Sequence, residues 1–140
     1  MIQVKDITIG DGSLTFIGGP CAIESEYHTL SMVEKLIDLT TDIGIQFVFK
    51  SSYDKDSRSS IQSFHGVGLD EGIKVFQKIK EEFNVSIVTD FSNQNDVEYL
   101  VDVIDIIQVP AYLCRQTSIL RAAAETQLPV LLKKGQFMSP

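Results

Sequence analysis

The sequence has few cysteines, fewer basic than acidic residues, and no long apolar runs. Its two cysteines, Cys21 and Cys114, lie far apart, which favours reduced thiols in a cytoplasm over a disulfide framework. Twelve basic against nineteen acidic residues give a formal net charge of −7, and a net anion repels the phosphates of nucleic acids. No apolar run approaches the roughly 20 residues that cross a bilayer, and residues 1–6 do not look like a secretion signal. The composition therefore predicts a cytoplasmic protein that binds neither nucleic acid nor membranes.

Short β-branched runs alternate with longer amphipathic segments along the chain. Hydrophobic residues make up 44% and charged residues 22%, which is typical of a globular domain. The runs predicted as buried strands are residues 14–17, 46–49, 86–89, 104–108 and 130–132. The predicted helical segments are residues 24–41, 69–83, 93–101 and 113–126. Strands separated by helices indicate βαβ units and a parallel sheet.

The order of these segments favours a barrel. Residues 4–9 alternate, with a glycine-rich turn at residues 10–12, which predicts a small hairpin ahead of the repeat. Neither a Gly-x-Gly-x-x-Gly nor a Walker motif is present, which argues against a dinucleotide-binding sheet. An eight-stranded barrel needs about 250 residues. We therefore expect residues 1–140 to be a single, partial barrel domain of about five β/α units, either truncated at its C-terminus or completed by another chain.

Polar residues follow the predicted strands at the points where each strand ends. In a barrel of parallel strands these ends form the working face. Six cations lie in or near the strand-end segments: Lys50, Lys55, Arg58, Arg115, Lys133 and Lys134. One interpretation is that they are ordinary surface cations. Because the chain is acidic overall, a rim of positive charge instead predicts phosphorylated anionic substrates, which lysine and arginine both bind.

Several motifs in the same order resemble one enzyme family. They are residues 19–25 (GPCAIES), 49–55 (FKSSYDK), 58–61 (RSSI), 107–117 (IQVPAYLCRQT) and 133–140 (KKGQFMSP). The family is 3-deoxy-D-manno-octulosonate-8-phosphate synthase (KDO-8-phosphate synthase), and the match covers about the first half of a family enzyme. The resemblance implies a (β/α)8 barrel whose bottom is covered by an N-terminal hairpin.

The resemblance also implies a reaction and its substrates. Family members are transferases that condense phosphoenolpyruvate with arabinose 5-phosphate and water and release inorganic phosphate. The product is a sugar acid phosphate of lipopolysaccharide biosynthesis. Fixed cations suit this chemistry because they hold the two phosphates and the carboxylate together against their mutual repulsion. Family members are also homo-oligomers, namely tetramers.

The site residues follow from the matching motifs. Lys50, Lys55 and Lys133 resemble the catalytic lysines that bind phosphoenolpyruvate, and Arg58 resembles the arginine that takes the sugar phosphate. With the strand-end Asp90 included, the predicted substrate-binding residues are Ser52, Ser57, Arg58, Asp90, Gln108, Pro110, Ala111, Arg115 and Gln136. For Gln108 and Pro110, a plain strand terminus is an equally good interpretation.

Cys21 is the candidate metal ligand. The family has a metal-dependent type with cysteine in the Gly-Pro-Cys string and a metal-free type with asparagine there, so this chain resembles the metal-dependent type. A thiolate suits a divalent ion such as zinc, iron or manganese, and the resemblance places the remaining ligands in later strands. The alternative is a small buried thiol. Cys114 is interpreted as a packing residue, and His28 as a solvated helix residue.

Some positions depart from the family pattern, so other functions stay open. Ser57, His65 and Ser92 replace an asparagine, an arginine and a histidine near the predicted sugar side, which allows a different phosphorylated aldose. One alternative is a 3-deoxy-7-phosphoheptulonate synthase that uses erythrose 4-phosphate, although that family tends to carry Pro-Arg-Thr-Ser where this chain has residues 51–55. Another is a non-catalytic half-barrel that acts as an assembly partner.

Overall fold

Seven β-strands and four α-helices alternate in the structure, a computed structural model that describes residues 1–139. The strands are β1 Ile2–Val4, β2 Ile7–Ile9, β3 Thr15–Gly18, β4 Gln46–Lys50, β5 Ser86–Asp90, β6 Ile106–Val109 and β7 Val130–Leu132. The helices are α1 Glu26–Asp42, α2 Leu69–Phe83, α3 Val97–Leu100 and α4 Thr117–Glu125. Short 3₁₀ turns, Gln94–Asp96 and Ala111–Leu113, precede α3 and α4. This order confirms the predicted alternation of strands and helices.

Strands β3 to β7 form one parallel sheet in chain order. A doubly wound sheet reverses its strand order at a switch point, whereas a barrel places each new strand beside the previous one. Within residues 1–139 the order never reverses. The structure therefore confirms the α/β class and the partial (β/α)8 barrel of about five units.

Strands β1 and β2 form the predicted N-terminal hairpin, but the turn lies elsewhere than expected. They pair in antiparallel fashion with Val4 opposite Ile7, so the turn consists of Lys5 and Asp6. These two successive polar residues interrupt the alternation, and Lys5 adopts a left-handed φ of 50°. Residues 10–12 form a turn and bend as predicted, but this segment follows β2 and leads towards β3, so it does not join the two strands of the hairpin.

The inner face of the sheet is apolar where the strands begin, and the hairpin covers it. Val48, Val88 and Ile106 of the sheet are buried in one cluster. Val4 and Ile7 of the hairpin pack against them from outside the sheet. The hairpin thus closes the bottom of the barrel interior, as the family resemblance implies.

The outer face of the sheet packs against the helices and forms the larger core. Phe49, Ile87 and Ile107 alternate with the inward-facing residues of their strands and are fully buried. Phe76 of α2 and Ile119 of α4 cover them. This arrangement of strand and helix layers leaves the carboxyl ends of the strands free to carry polar groups.

The helix ends follow local sequence signals. Ser25 caps α1 by accepting a hydrogen bond from the backbone nitrogen of His28 at 3.2 Å, and the left-handed Asn84 ends α2. The interpretation of His28 as a solvated residue was wrong, because its side chain is half-buried and its Nδ1 has no hydrogen-bond partner in the part of the chain described. No helix within residues 1–139 has both the length and the apolar stretch that a bilayer crossing requires.

Candidate active site

Every second residue of a strand faces the barrel interior, and at one end of the strands these inward-facing residues are polar. Val48 faces the apolar interior, and two residues further along β4, Lys50 lies on the same face of the sheet. The residues reached by the same step at the ends of β4, β5, β6 and β7 are Lys50, Asp90, Gln108 and Lys133. The interior therefore changes from apolar to charged along the direction of the strands.

Asp90, the last residue of β5, holds two ammonium groups. Its Oδ1 lies 3.3 Å from Lys50 Nζ, and its Oδ2 lies 3.2 Å from Lys55 Nζ. The hydroxyl of Ser52, which is fully buried, donates a hydrogen bond to Oδ1 of the same carboxylate. The Asp90 side chain is only 11% exposed, and the two lysine side chains are 23% and 16% exposed. One carboxylate thus fixes two cations from the β4 end in a largely dry environment.

Burial and charge shift the pKa values of these groups. Burial lowers the pKa of Lys50 below its ordinary value, the charge of Lys55 lowers it further, and Asp90 offsets part of this. For Asp90, burial would raise the pKa, but the two ammonium groups and the hydrogen bond from Ser52 hold it below its ordinary value. Asp90 is therefore ionised at neutral pH, whereas Lys50 loses its proton more readily than an exposed lysine does.

A cavity of about 150 Å³ opens beside Asp90 at this end of the barrel. It is lined by Lys50, Asp54, Lys55, Asp56, Ser57, Asp90, Phe91, Ser92, Gln108, Pro110, Ala111, Tyr112 and Lys133. Of the predicted site residues, the cavity brings together Lys50, Lys55, Ser57, Asp90, Gln108, Pro110, Ala111 and Lys133. The lining includes three lysines, whose ammonium groups can bind an anion, and three aspartates, Asp54, Asp56 and Asp90.

Other predicted site residues do not reach this cavity. Arg58, Arg115 and Gln136 are exposed and are not among its lining residues. Lys134 turns its ammonium group to the backbone, where Nζ donates to the carbonyl oxygen of Met138 at 2.8 Å. Three of the six predicted rim cations therefore line the cavity, and the roles predicted for the exposed arginines stay predictions.

Cys21 lies in the segment between β3 and α1, beside the end of β4. Ser51 Oγ donates to the carbonyl oxygen of Pro20 at 3.0 Å. The backbone nitrogen of Ile23 donates to the carbonyl oxygen of Ser52 at 2.9 Å. The thiol is exposed, so the alternative of a buried thiol was wrong. It is close enough for a thiolate charge to raise the pKa of the lysine that ends β4, against the larger lowering by burial. Cys21 therefore lies near Lys50, although it is not among the residues that line the cavity.

A group of three potential metal ligands, separate from Cys21, lies beside the cavity. Asp54, Asp56 and His65 place their ligand atoms within 4.8 Å of one another. His65 Nδ1 lies 3.7 Å from Asp54 Oδ1, which makes an ion pair when the imidazole is protonated. Cys114 is buried, with its sulfur 3.4 Å from that of Met138, so its interpretation as a packing residue is confirmed.

Sequence reasoning did not assign four residues that line the cavity: Asp54, Asp56, Phe91 and Tyr112. Each is a close neighbour in sequence of a predicted residue, and the two aspartates flank Lys55. Because the loops after parallel strands form the walls of a barrel site, position after a strand was the available signal. The aspartates and the lysines make this cavity polar on both sides.

Comparison with known proteins gives consistent matches over the whole chain. The model described as "DAHP synthetase I family" matches residues 1–140. A protein of Rickettsia typhi named 2-dehydro-3-deoxyphosphooctonate aldolase is 45% identical over 141 residues, covering 100% of this chain and 52% of that protein. A protein of Koribacter versatilis with the same name is 44% identical, covering 99% of this chain and 50% of its own length. The chain thus spans about half the length of the curated relatives it matches.

Proposed function

We propose, from the premise that the chain belongs to the DAHP synthetase I family, that the whole protein is a KDO-8-phosphate synthase. Such a transferase joins phosphoenolpyruvate, D-arabinose 5-phosphate and water to give 3-deoxy-D-manno-octulosonate 8-phosphate and inorganic phosphate. The name that the relatives carry, 2-dehydro-3-deoxyphosphooctonate aldolase, supports this choice over a synthase that uses erythrose 4-phosphate.

The observation that carries the proposal is the meeting of three lysines in one cavity. Lys50, Lys55 and Lys133 come from three separate segments of the chain and line the same space. The carboxylate of Asp90 neutralises part of their positive charge, which reduces the repulsion between the ammonium groups before an anion binds. An entering phosphate or carboxylate finds ammonium groups already in place, which lowers the cost of ordering them.

Electrostatics explains why such a reaction needs fixed cations. Two unit charges about 4 Å apart repel by about 4 kcal/mol near a protein surface. Phosphoenolpyruvate carries a phosphate and a carboxylate, and the sugar brings a second phosphate. We assign Lys50, Lys55 and Lys133 to phosphoenolpyruvate, with Pro110 and Ala111 as part of the cavity wall.

The proposed reaction forms a carbon–carbon bond and a carbon–oxygen bond to water, and it breaks the carbon–oxygen bond to phosphate. The methylene carbon of phosphoenolpyruvate attacks the sugar aldehyde, whose oxygen gains a proton. Water adds at the former enol carbon, and that carbon then loses inorganic phosphate to become the ketone of the product. Negative charge grows on the aldehyde oxygen, and ammonium groups aimed at it stabilise the transition state more than the separated substrates.

The acceptor sugar is proposed to bind towards the outer part of the cavity. Ser57 lines the cavity and is exposed, and the neighbouring Arg58 is exposed in the same segment, available to a phosphate that arrives from solvent. Ser52 and Gln108 act from below, Ser52 through its hydrogen bond to the β5 carboxylate. Arg115 and Gln136 stay assigned to substrate binding by resemblance alone.

Cys21 is proposed to supply one ligand to a divalent metal ion in the whole protein. Its exposed thiol, which follows the first barrel strand, fits a borderline divalent ion such as zinc or iron. Such an ion, when bound, can polarise a carbonyl or orient water. The other ligands are expected from the part of the family enzyme beyond this chain.

Replacing Cys21 by alanine should therefore remove bound metal from the whole protein. We expect metal affinity to fall at least about tenfold, as measured by elemental analysis after dialysis against a weak chelator. Cys114→Ala is the matched control and should keep its metal, because its thiol is buried beside Met138. Equal losses in the two variants would contradict the ligand assignment. Cys21→Asn should retain some metal-free turnover, since the metal-free type of the family has asparagine there.

The setting of the enzyme is proposed on the same resemblance. We assign residues 1–140 to one barrel domain, and the whole protein to a cytoplasmic homotetramer. Both cysteines are free thiols, which fits a reducing compartment.

A phosphate-release assay on the whole protein tests the proposal. Phosphoenolpyruvate is supplied with arabinose 5-phosphate, with erythrose 4-phosphate, or with no acceptor. We expect release to require arabinose 5-phosphate. Release that requires erythrose 4-phosphate would transfer the assignment to the related synthase, and no release with either sugar would favour a non-catalytic barrel.

A further inference from the structure

Tyr53 occupies an unusual place for a residue with a polar end. It lies in the segment that follows β4, directly after Ser52 and two residues before Lys55, and it is only 2% exposed. Both of those neighbours contact the carboxylate of Asp90. The conformation of Tyr53 therefore decides how this segment meets the cavity.

The hydroxyl of Tyr53 ties this segment to the loop after β5. It donates a hydrogen bond of 2.8 Å to Asp96 Oδ2, while Asp96 Oδ1 accepts one of 3.1 Å from Asn93 Nδ2. Burial and this hydrogen bond both raise the pKa of Tyr53, so the hydroxyl keeps its proton and remains a donor. The bond links two loops that lie on neighbouring strands of the sheet.

Glycines hold the rest of Tyr53 in place. The backbone nitrogen of Gly68 donates to the Tyr53 carbonyl oxygen at 3.0 Å. A Cβ at Gly66 would lie 2.2 Å from that same oxygen, and a Cβ at Gly72 would lie 2.4 Å from the Tyr53 Cβ. Since both distances are far below van der Waals contact, α2 and the loop before it approach Tyr53 as closely as glycine permits. The backbone and Cβ of Tyr53 are thus packed closely against these glycines, and its hydroxyl is hydrogen-bonded to Asp96.

We propose that Tyr53 is a positioning residue: its hydrogen bond to Asp96 fixes the segment that presents Lys55 to the cavity. A phenylalanine would fill the same buried space, so packing does not require the hydroxyl. The hydroxyl adds a directional contact between the loop after β4, which carries Lys55, and the loop that follows the carboxylate partner of Lys55 at the end of β5. This inference rests on the proposed function only in naming phosphoenolpyruvate as the anion that benefits.

The test compares Tyr53→Phe with Tyr27→Phe in the whole protein. Tyr27 is 84% exposed on α1 and outside the cavity, so it is the matched control. Losing the hydrogen bond should weaken binding of inorganic phosphate about fivefold to tenfold by calorimetry. The KM for phosphoenolpyruvate should rise by a similar factor with kcat changed less than about twofold. Unchanged phosphate affinity in Tyr53→Phe would overturn the proposal.

A second comparison separates positioning from a general effect on the fold. Asp96→Ala removes the acceptor, together with the hydrogen bond from Asn93, and should match Tyr53→Phe in phosphate affinity, with no further loss in the double variant. In a Lys55→Ala background, Tyr53→Phe should have no further effect on phosphate affinity. An equal effect with and without Lys55 would overturn the proposal, because the hydroxyl would then act through the fold.

These binding measurements do not depend on turnover. If Tyr53→Phe weakens phosphate binding through Lys55 while the whole protein condenses no sugar, the positioning role holds and the proposed function fails. If the protein condenses arabinose 5-phosphate but Tyr53→Phe binds phosphate normally, the proposed function holds and the positioning role fails.

Discussion

Two aspartates at opposite ends of the barrel each hold two lysines. At the carboxyl ends of the strands, Asp90 lies 3.3 Å from Lys50 Nζ and 3.2 Å from Lys55 Nζ. At the opposite end, Asp105 lies 3.2 Å from the ammonium group of Lys80 in α2 and 3.7 Å from that of Lys5 in the hairpin turn. Both aspartate side chains are 11% exposed. The two clusters therefore contain the same charged groups, and their aspartate side chains are equally exposed.

The two aspartates differ in what they contact besides the lysines. Asp105 Oδ2 accepts a hydrogen bond of 2.8 Å from the backbone nitrogen of Ile87, which joins the starts of β5 and β6. Asp90 accepts from a side chain, Ser52, and faces the cavity. One cluster fastens the hairpin and a helix to the sheet, and the other leaves its lysines beside open space. An aspartate that holds two lysines is therefore a candidate binding site only where it lies at the carboxyl ends of the strands and beside a cavity.

The strongest test of this contrast is to neutralise each aspartate in turn. Asp90→Asn should lower kcat/KM at least about a hundredfold, because Lys50 and Lys55 lose the carboxylate that places them. It should also cost about 3 kcal/mol of stability, since two lysines are left close together and largely buried. Asp105→Asn should cost about 1–2 kcal/mol of stability and leave kcat/KM within about twofold. Denaturant unfolding and steady-state kinetics of the whole protein measure both.

The stability loss in Asp90→Asn should also depend on pH with a defined sign. Because the folded-state pKa of Asp90 lies below its unfolded value, its carboxylate stabilises the fold fully above the ordinary aspartate range. That contribution is lost only as the pH falls through the lowered folded-state pKa. The difference in stability between the two proteins should therefore shrink in acid, and a difference that grew there would contradict the ion-pair assignment.

The sequence predicted these two clusters to very different degrees. Asp90 was found because it ends a recognisable strand, and strand ends share one edge of a parallel sheet. Asp105 gave no signal, since its partners, Lys5 and Lys80, come from a turn and a helix whose approach depends on packing. The hairpin turn was misplaced for a related reason: the glycines at residues 10–12 are a strong local turn signal, whereas the pairing of Val4 with Ile7 depends on burial against the sheet.

Within the site, sequence reasoning reached the residues whose positions follow from strand period alone. Lys50 and Lys133 are of this kind. It did not find the bond between Tyr53 and Asp96, because two loops of irregular backbone meet there. The predicted helical segment began at residue 113, whereas α4 begins at Thr117. The prediction was too early because the 3₁₀ turn Ala111–Leu113 has the same apolar residues as a helical turn.

A smaller effect should separate two neighbouring lysines at the end of β7. Lys133→Ala should raise the KM for phosphoenolpyruvate by about tenfold to a hundredfold, because the cavity loses one of its ammonium groups. Lys134→Ala is the matched control: its ammonium group binds the carbonyl oxygen of Met138 and does not line the cavity. Steady-state kinetics with phosphoenolpyruvate as the varied substrate give the answer. Unchanged kinetics in Lys133→Ala would remove that residue from the site.

The smallest expected effect is a shift to lower pH of the alkaline limb in the pH profile of anion affinity. Because burial lowers the pKa of Lys50, the affinity for phosphoenolpyruvate should fall at a pH below that at which exposed lysines lose their protons. Lys50→Arg keeps its charge at any accessible pH, so it should move this limb upwards even if its affinity is lower. Lys74→Arg, on the exposed face of α2, should leave the limb where it is. Identical limbs in the Lys50→Arg variant and the unaltered protein would show that Lys50 does not bind the anion.

The central claim is that the barrel end marked by Asp90, rather than the end marked by Asp105, binds the phosphorylated substrate. A crystal structure of the whole protein with phosphoenolpyruvate bound tests it most directly. We expect phosphate or carboxylate oxygens within hydrogen-bond distance of Lys50, Lys55 and Lys133. Anion density elsewhere, or those three ammonium groups pointing away from the ligand, would contradict it.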